Sequence, residues 1–402
     1  MSASTLFEAL YGQILRTLFY LVGVFEIPFL LVIEQFFPKK KRKWIWRYAS
    51  IFNARVFFGF AGIYFEVLLP KTSIHEPVVY ASNHPSVMDG FSTFMLFGPH
   101  VTYLTGPRRL FAFPYNFWTV KCGAIDVIRD QNDERLFGTG QSLHKEDAID
   151  ALVATIQSGE SVFIFAEGHY ERSHHLHYIH SGAARVAQKA HVPIVPVTLI
   201  DEEKVMRGKR IRPGTIRVVV GEPIAPIPVS KLMPFWKSVV LLKEKTRKQI
   251  NRQLPHRYHR DFFEQGIRHD IAAFFVIDHT VSLHSTLWGF FSWMLRHEQL
   301  SSEQFYLLKA ALTRNQKQRI SHEQMMGEIA VVFKGMSAQN LLTFATSFYA
   351  DVGEQWLNLD LFSYVVDHQQ CEHRIVLLSE TIQPLAECYR TFVGAHDVFG
   401  TR

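Results

Sequence analysis

This 402-residue chain predicts an α/β fold. Two observations carry the prediction: between residues 78 and 220 strand-like apolar runs alternate with helix-like stretches, and a content of 48% hydrophobic against 20% charged residues suffices for a substantial core. Near residue 255 the chain changes character. It divides into a membrane-associated N-terminal region, 1–50, a central α/β domain, 51–255, and a C-terminal domain, 256–402.

The first segment, Leu15 to Phe37, is mostly apolar and runs into Pro38-Lys39-Lys40-Lys41-Arg42-Lys43 and then Trp44-Ile45-Trp46-Arg47. That order suits a membrane-associated helix with a cationic and aromatic interfacial belt. Glu26, Glu34 and Pro28 count against a simple span, because a charge at the bilayer centre costs at least about 2.5 kcal/mol. Monotopic or re-entrant insertion is the preferred reading; a full span and a soluble apolar hairpin with a basic loop are the alternatives. No cleavable signal peptide is predicted, since a basic n-region is lacking and Arg16 interrupts the apolar stretch. The formal charge of +6 and the lysine run suit an anionic lipid surface, and 34 Phe with 7 Trp suit a large core or contact with lipid. No nucleic-acid partner is predicted. Cys122, Cys371 and Cys388 are far apart and form no CxxC, so a reducing, cytosol-facing location is expected without disulfides or a zinc module.

In the central domain Val78-Val79-Tyr80-Ala81 reads as a short buried strand, and Gly90 to Leu96 as a helix. Ser161 to Phe165, Ile194 to Thr198 and Thr215 to Val220 are further strands, with helices over Asp147 to Gln157 and Ala183 to Ala190. Pro196 demotes its strand toward an edge or a bulge. A proline-rich exit, 223–234, leads to a basic helix around Lys237 to Arg252 that reads as a solvated face. The C-terminal domain offers one strand at Ala272 to Ile277, a long helical region, and a second strand at Arg374 to Leu378.

Asn83-His84-Pro85-Ser86-Val87-Met88-Asp89 lies between the first of these strands and its helix. A histidine at a strand end meets substrate, and an acid holding one ring N–H leaves the other nitrogen free as a base for a hydroxyl nucleophile. A satisfied strand-end histidine is the plainer alternative. Gly123-Ala124-Ile125-Asp126-Val127-Ile128-Arg129 supplies a turn and an arginine suited to a phosphate. Phe165-Ala166-Glu167-Gly168 ends a buried strand in an acid and a glycine, and Val192-Pro193-Ile194-Val195-Pro196-Val197 supplies an apolar wall.

In this order the four blocks, NHPSVMD, GAIDVIR, FAEGHYERS and VPIVPV, resemble the glycerolipid acyltransferase family, which includes lysophosphatidate acyltransferases. The family's pattern is NHxxxxD, G…R, FPEGTRS and VPIVPV. The resemblance covers roughly residues 50 to 225 and implies the family's sheet flanked by helices. It implies His84 as general base and Asp89 as its orienting acid. Asn83, Gly123, Arg129, Glu167, Gly168 and Arg172 then bind substrate, and Val192, Pro193, Ile194 and Pro196 form an acyl pocket. The acyl donor is an acyl-CoA or acyl carrier protein, with no further cofactor. The expected acceptor is 1-acylglycerol 3-phosphate; another head group, or a non-catalytic membrane adaptor, is the alternative. Two departures bear on the acceptor: His169 and Tyr170 stand where Thr and Arg are usual, with Arg172 displaced by two places, and Asp126 replaces an apolar or proline residue. His174, His175, His177 and His180 invite a metal reading, but no cysteine is near and their spacing needs an extended chain, so none is predicted.

Ala272 to Val281 resembles the first motif of haloacid dehalogenase-like phosphatases, and Val376 to Thr381 the second-motif region of their phosphoserine phosphatase-like branch. This implies a partial Rossmann-like domain with a helical cap. Val276 stands at the nucleophilic aspartate's position and offers no oxygen to phosphorus or magnesium, so phosphatase activity is not expected. Asp278, Thr280 and Ser379 retain other motif positions, Ser379 as a weak anion binder or a leftover strand-end serine. The sheet's early end calls for a protein partner at an open edge.

Overall fold

The computed structural model describes residues 3–75, 77–107, 113–128, 142–168, 176–207, 210–230, 233–255 and 271–401, and divides into two units, Met1–Arg260 and Asp261–Arg402. The first unit begins with helix α1, Ala3–Ile33, whose 31 residues rise roughly 46 Å at about 1.5 Å per residue. Its acids turn toward the protein. Glu8 accepts from Arg212 Nε at 2.7 Å, Glu26 from Asn53 Nδ2 at 2.6 Å, and Glu34, just beyond the helix, from Trp46 Nε1 at 2.7 Å and Lys121 Nζ at 2.6 Å. Leu10, Ile14, Leu18, Phe25, Phe29 and Val32 recur every few positions along the exposed side of the helix, Phe25 at 75% exposure. The acids that count against a span therefore bind the helix to its own domain.

Helix α2, Arg42–Phe60, follows the lysine run and buries Trp46, Ala54, Phe57 and Phe58. Arg47, 1% exposed, is fully partnered. It donates to the carbonyls of Cys122 and Pro99 at 2.8 and 2.6 Å, to Thr102 at 2.8 Å and to Glu160 at 3.0 Å. Lys43 also pairs with Glu160. Buried Arg47 and half-buried Lys43, gathered around one acid, tie α2 to the sheet.

The remaining elements are strands β1 (Ile63–Leu68), β2 (Val79–Ser82), β3 (Val101–Thr105), β4 (Ile125–Asp126), β5 (Ser161–Phe165), β6 (Ile194–Ile200), β7 (Met206–Arg207), β8 (Arg210–Ile211) and β9 (Gly214–Val220). Helices α3 (Asp89–Phe97), α4 (Tyr115–Lys121), α5 (Lys145–Gln157), α6 (Gly182–Ala190), α7 (Glu202–Val205) and α8 (Phe235–Gln253) connect or flank them. Seven strands form one sheet in the order β1-β9-β6-β2-β5-β3-β4, parallel throughout except between β6 and β9. β2, β5 and β6 read as continuous apolar runs because they lie inside this sheet with both faces covered.

Pro196 corrects the edge expected of it, while the expected bulge has a counterpart: the antiparallel register shifts by one residue between the Val197–Val220 and Ile194–Ile224 pairs. β6 is interior, between β2 and β9, and buried along its whole length. The proline is tolerated because it faces Gly221 at the end of the β6–β9 ladder, where the Gly221 N–H donates to the Pro196 carbonyl at 2.7 Å and the return bond from a proline nitrogen is not needed. The core on one face is aromatic: Phe163 stacks on Tyr103 with centroids 5.1 Å apart and meets Phe97 edge-on at 5.1 Å. Each such pair contributes about 0.5–1.5 kcal/mol beyond the area it buries.

The second unit holds a three-stranded parallel sheet in the order β10-β11-β12, with β10 at Ala272–Val276, β11 at Arg374–Ile382 and β12 at Asp397–Thr401. Helices α9 (Thr286–Arg296), α10 (Ser302–Gln316), α11 (His322–Val332), α12 (Ala338–Asp351), α13 (Phe362–Gln370) and α14 (Gln383–Val393) complete it. Ser301 with Gln304 and Ser321 with Gln324 form capping boxes that start α10 and α11. β10 alternates, burying Ala273 and Phe275 while Phe274 and Val276 are 62% and 48% exposed; Phe399 of β12 is 59% exposed. Asp278 is held from both sides: Oδ1 accepts from the Thr286 backbone and hydroxyl at 2.7 and 2.8 Å, and Oδ2 from Ser379 at 3.0 Å.

Candidate active site

Strands β5, β2 and β6 are adjacent and mutually parallel, so their C-terminal ends share one edge of the sheet, where ligands of open α/β sheets bind. Two residues past each end stands a titratable side chain: His84 after Ser82, Glu167 after Phe165 and Glu202 after Ile200. The topology collects three groups that are far apart in sequence.

His84 Nδ1 lies 2.7 Å from Asp89 Oδ2. Asp89 opens α3 and is fully buried, whereas the histidine side chain keeps 17% exposure. The same Asp89 oxygen accepts the Ser86 N–H at 2.8 Å, which fixes the turn between the two residues. Phe165 stacks on the imidazole with centroids 4.2 Å apart and planes 18° apart, and continues the aromatic column from Phe163 at 5.2 Å. An ionised Asp89 selects the Nδ1–H tautomer and leaves Nε2 as the basic nitrogen. Burial raises the Asp89 carboxyl to about 7, while the Ser86 N–H favours its charged form and Glu167 and Glu203 oppose it. Glu202 is pushed well above the usual carboxylate range by burial and then by Asp89.

Glu167 and Asn83 shape the backbone around the histidine. The Glu167 carboxylate is buried and accepts the His84 N–H at 2.8 Å through Oε1 and the His177 N–H at 3.0 Å through Oε2. Asn83, also buried, spends its amide on Leu199, donating to its carbonyl at 2.9 Å and accepting its N–H at 2.8 Å. Both hold backbone here, Glu167 that of His84 and His177 and Asn83 that of Leu199. Gly168 adopts φ 75°, and a Cβ would come within 2.9 Å of the His180 ring, so the turn after Glu167 needs glycine.

Other expected residues are not brought to the dyad. Ile194 pairs with Val79 and Val197 with Ser82, so Val192, Pro193 and Ile194 lie at the far end of β6, with Ile194 about 10 Å back along the strand from the Ser82 level at about 3.3 Å per residue. Ile194 and Pro196 fill the sheet's interior. Of VPIVPV, Val192 and Pro193 are half-buried ahead of β6, and Ile194 to Val197 pack inside the sheet. Gly123, φ 73°, lies in the turn before edge strand β4, three strands from β2. Asp126, the departure from the family pattern, is buried and accepts from the Thr105 hydroxyl at 2.8 Å. Arg129, His169, Tyr170, Arg172, His174 and His175 lie outside the described residues. Among the described residues no group of three or more His, Cys, Asp or Glu is placed to hold a metal ion.

Sequence reasoning missed Glu202 and the stacking role of Phe165. The signal for Glu202 is its position two residues after an entirely apolar strand, the same offset as His84 and Glu167.

Residues 65–200 match the family model described as Acyltransferase. The chain is 24% identical over 222 residues to the chloroplastic 1-acyl-sn-glycerol-3-phosphate acyltransferase LPAT1 of Arabidopsis thaliana, covering 54% of this chain and 58% of that protein. It is 24% identical over 200 residues to the chloroplastic enzyme of the same description, BAT2, of Brassica napus, covering 49% of this chain and 54% of that protein. The chain thus spans little more than half the length of these relatives. The crystal structure of the 1-acyl-sn-glycerophosphate (LPA) acyltransferase PlsC from Thermotoga maritima is similar at 15% identity, with a TM-score of 0.44, over 61% of this chain and 95% of that one.

Proposed function

We propose that the first unit transfers a fatty acyl group from acyl-CoA or acyl carrier protein to the hydroxyl of a lysophospholipid, 1-acylglycerol 3-phosphate being the preferred acceptor. The observation that carries this reading is the 2.7 Å bond from His84 Nδ1 to the buried Asp89, which makes Nε2 the basic nitrogen of a partly exposed ring. In the reaction Nε2 takes the acceptor's hydroxyl proton as its oxygen attacks the thioester carbonyl. The new C–O bond forms, the C–S bond breaks, and the imidazolium returns its proton to the departing thiolate. Asp89 stabilises that imidazolium. In this reading Arg129 and Arg172 hold the acceptor's phosphate, by resemblance to the family's blocks. The acyltransferase relatives support the acceptor class.

The unit acts at a membrane surface, lying on it through the apolar side of α1 with the lysine run beside it. The exposed phenylalanines and inward-facing acids of α1 support insertion from one side, and the three free cysteines support a cytoplasm-facing site. The second unit is a phosphatase-like domain without activity that takes a protein partner. Val276 and the fully engaged Asp278 support the first part, and exposed Phe274, Val276 and Phe399 on its sheet support the second.

Acyl-thioester consumption with lysophosphatidate and a panel of other lysolipids tests the proposal. Wild type consumes thioester with lysophosphatidate, and His84→Ala loses at least about a thousandfold in kcat, the range for losing a base that activates a hydroxyl. Equal rates for the two proteins would remove the acyltransferase reading.

A further inference from the structure

We infer that Glu202 is a positioning residue of this site: at neutral pH it carries a proton and donates it to the Asp89 oxygen that faces away from the histidine, so that the two buried carboxyls act as one hydrogen-bonded pair. The inference deepens the acyl-transfer reading and rests on it for its catalytic consequence alone.

Four observations converge. Glu202 and Asp89 are both fully buried. Asp89 Oδ1 and both Glu202 oxygens are the atoms of the pair with no donor among the described residues, and the two carboxyls are within hydrogen-bonding reach of each other. The chain is bent to put Glu202 there: Asp201, immediately before it, takes φ 70°, a left-handed conformation that non-glycine residues adopt at a cost. Finally, among the described residues the charged groups that act most on the pair are His84, Glu167 and Glu203.

Two ionised carboxylates in contact in a dry pocket are strongly unfavourable, and one shared proton turns that repulsion into an O–H···O bond. Asp89 Oδ2 already receives N–H groups from His84 and Ser86, which favour its charged form, whereas Glu202 receives none. The proton therefore resides on Glu202. Asp89 is then held at both oxygens and cannot rotate away from the imidazole, and His84 faces one negative charge in place of two. Support of an orienting acid by a further neutral group follows the same logic as support of a histidine by its acid.

Two variants and one spectrum test this on the full chain. Glu202→Gln keeps a donor in the same place and is expected to lose no more than about threefold in kcat, whereas Glu202→Leu leaves Asp89 Oδ1 unsatisfied and loses roughly tenfold or more with KM within about twofold. In the infrared difference between wild type and Glu202→Gln at pH 7, wild type shows the carbonyl stretch of a protonated carboxyl, shifted in deuterated water, and the variant lacks it. Absence of that band overturns the inference, and so does a Leu variant with wild-type kcat. The band needs no activity and reads Glu202 even if Leu disrupts folding. A wild type that shows the band but consumes no thioester would instead remove the acyl-transfer reading and leave the pair standing.

Discussion

Replacing Glu167 by glutamine separates a positioning role from direct contact with substrate. The carboxylate's two oxygens each accept a backbone N–H, from His84 at 2.8 Å and His177 at 3.0 Å. Hydrogen bonds to a charged group contribute about 1.5–3 kcal/mol each, and a glutamine accepts only one of the two. Its NH2 then faces a backbone N–H, so one bond is lost and one buried donor is left unsatisfied. With about 1–3 kcal/mol for the unsatisfied donor, the sum is a destabilisation of about 2.5–6 kcal/mol. The group displaced is the backbone of His84 itself, and an error of about 1 Å in a reacting group costs on the order of a hundredfold in rate. Urea unfolding followed by fluorescence should show a lower midpoint for Glu167→Gln, and steady-state kinetics a lower kcat with KM little changed. A variant with the wild-type midpoint, unchanged kcat and raised KM would refute this reasoning, because that pattern marks loss of uniform substrate binding.

Asn83→Ala removes both bonds to Leu199 and leaves a buried N–H and C=O without partners, for about 2–4 kcal/mol of lost stability by urea titration; a midpoint within error of wild type would contradict it. The buried Asp89–Glu202 pair makes stability fall with pH. Burial raises Glu202 well above the usual carboxylate range, so in the folded state it retains a proton over a range where the unfolded chain has released it. The associated stability is complete below the ordinary carboxylate range near pH ~4 and is lost as pH rises toward the raised range. Wild type should therefore lose more urea resistance between pH 5 and pH 8 than Glu202→Gln does, and an equal or smaller loss in wild type would reverse the sign.

The interior of the sheet was legible because strands covered on both faces must be apolar throughout, and β2, β5 and β6 are. Edge strand β1 was not: Glu66 interrupts its run, and the acid is tolerated because it is exposed, where it pairs with Arg217 on β9 at 2.9 Å. His84 and Asp89 were legible because their separation lets a helix N-terminus return an acid to a strand-end ring. Glu202 was not, since Asp201-Glu202-Glu203 reads as a solvated acidic turn, and its burial depends on packing between elements remote in sequence. VPIVPV was legible as a motif but not in its place along the strand, because a motif does not say which end of a strand meets the site. Pro196 misled for a related reason: the rule against proline in interior strands concerns one missing donor, and the end of the β6–β9 ladder does not require it.

The contacts of Glu8, Glu26 and Glu34 bear on how this protein can be produced. An apolar N-terminal helix invites removal to obtain a detergent-free version, yet α1 is not a detachable anchor. Cutting it away would leave Arg212 and Asn53 without their carboxylates, detach Glu34, which holds Trp46 and Lys121, from the helix before it, and uncover the core against which Leu15, Ile27 and Leu30 pack. Trimming would trade one sticky surface for another. Polar replacement of the outward Leu10, Leu18, Phe25 and Phe29 leaves every one of those contacts in place, and is the rational route to a soluble form.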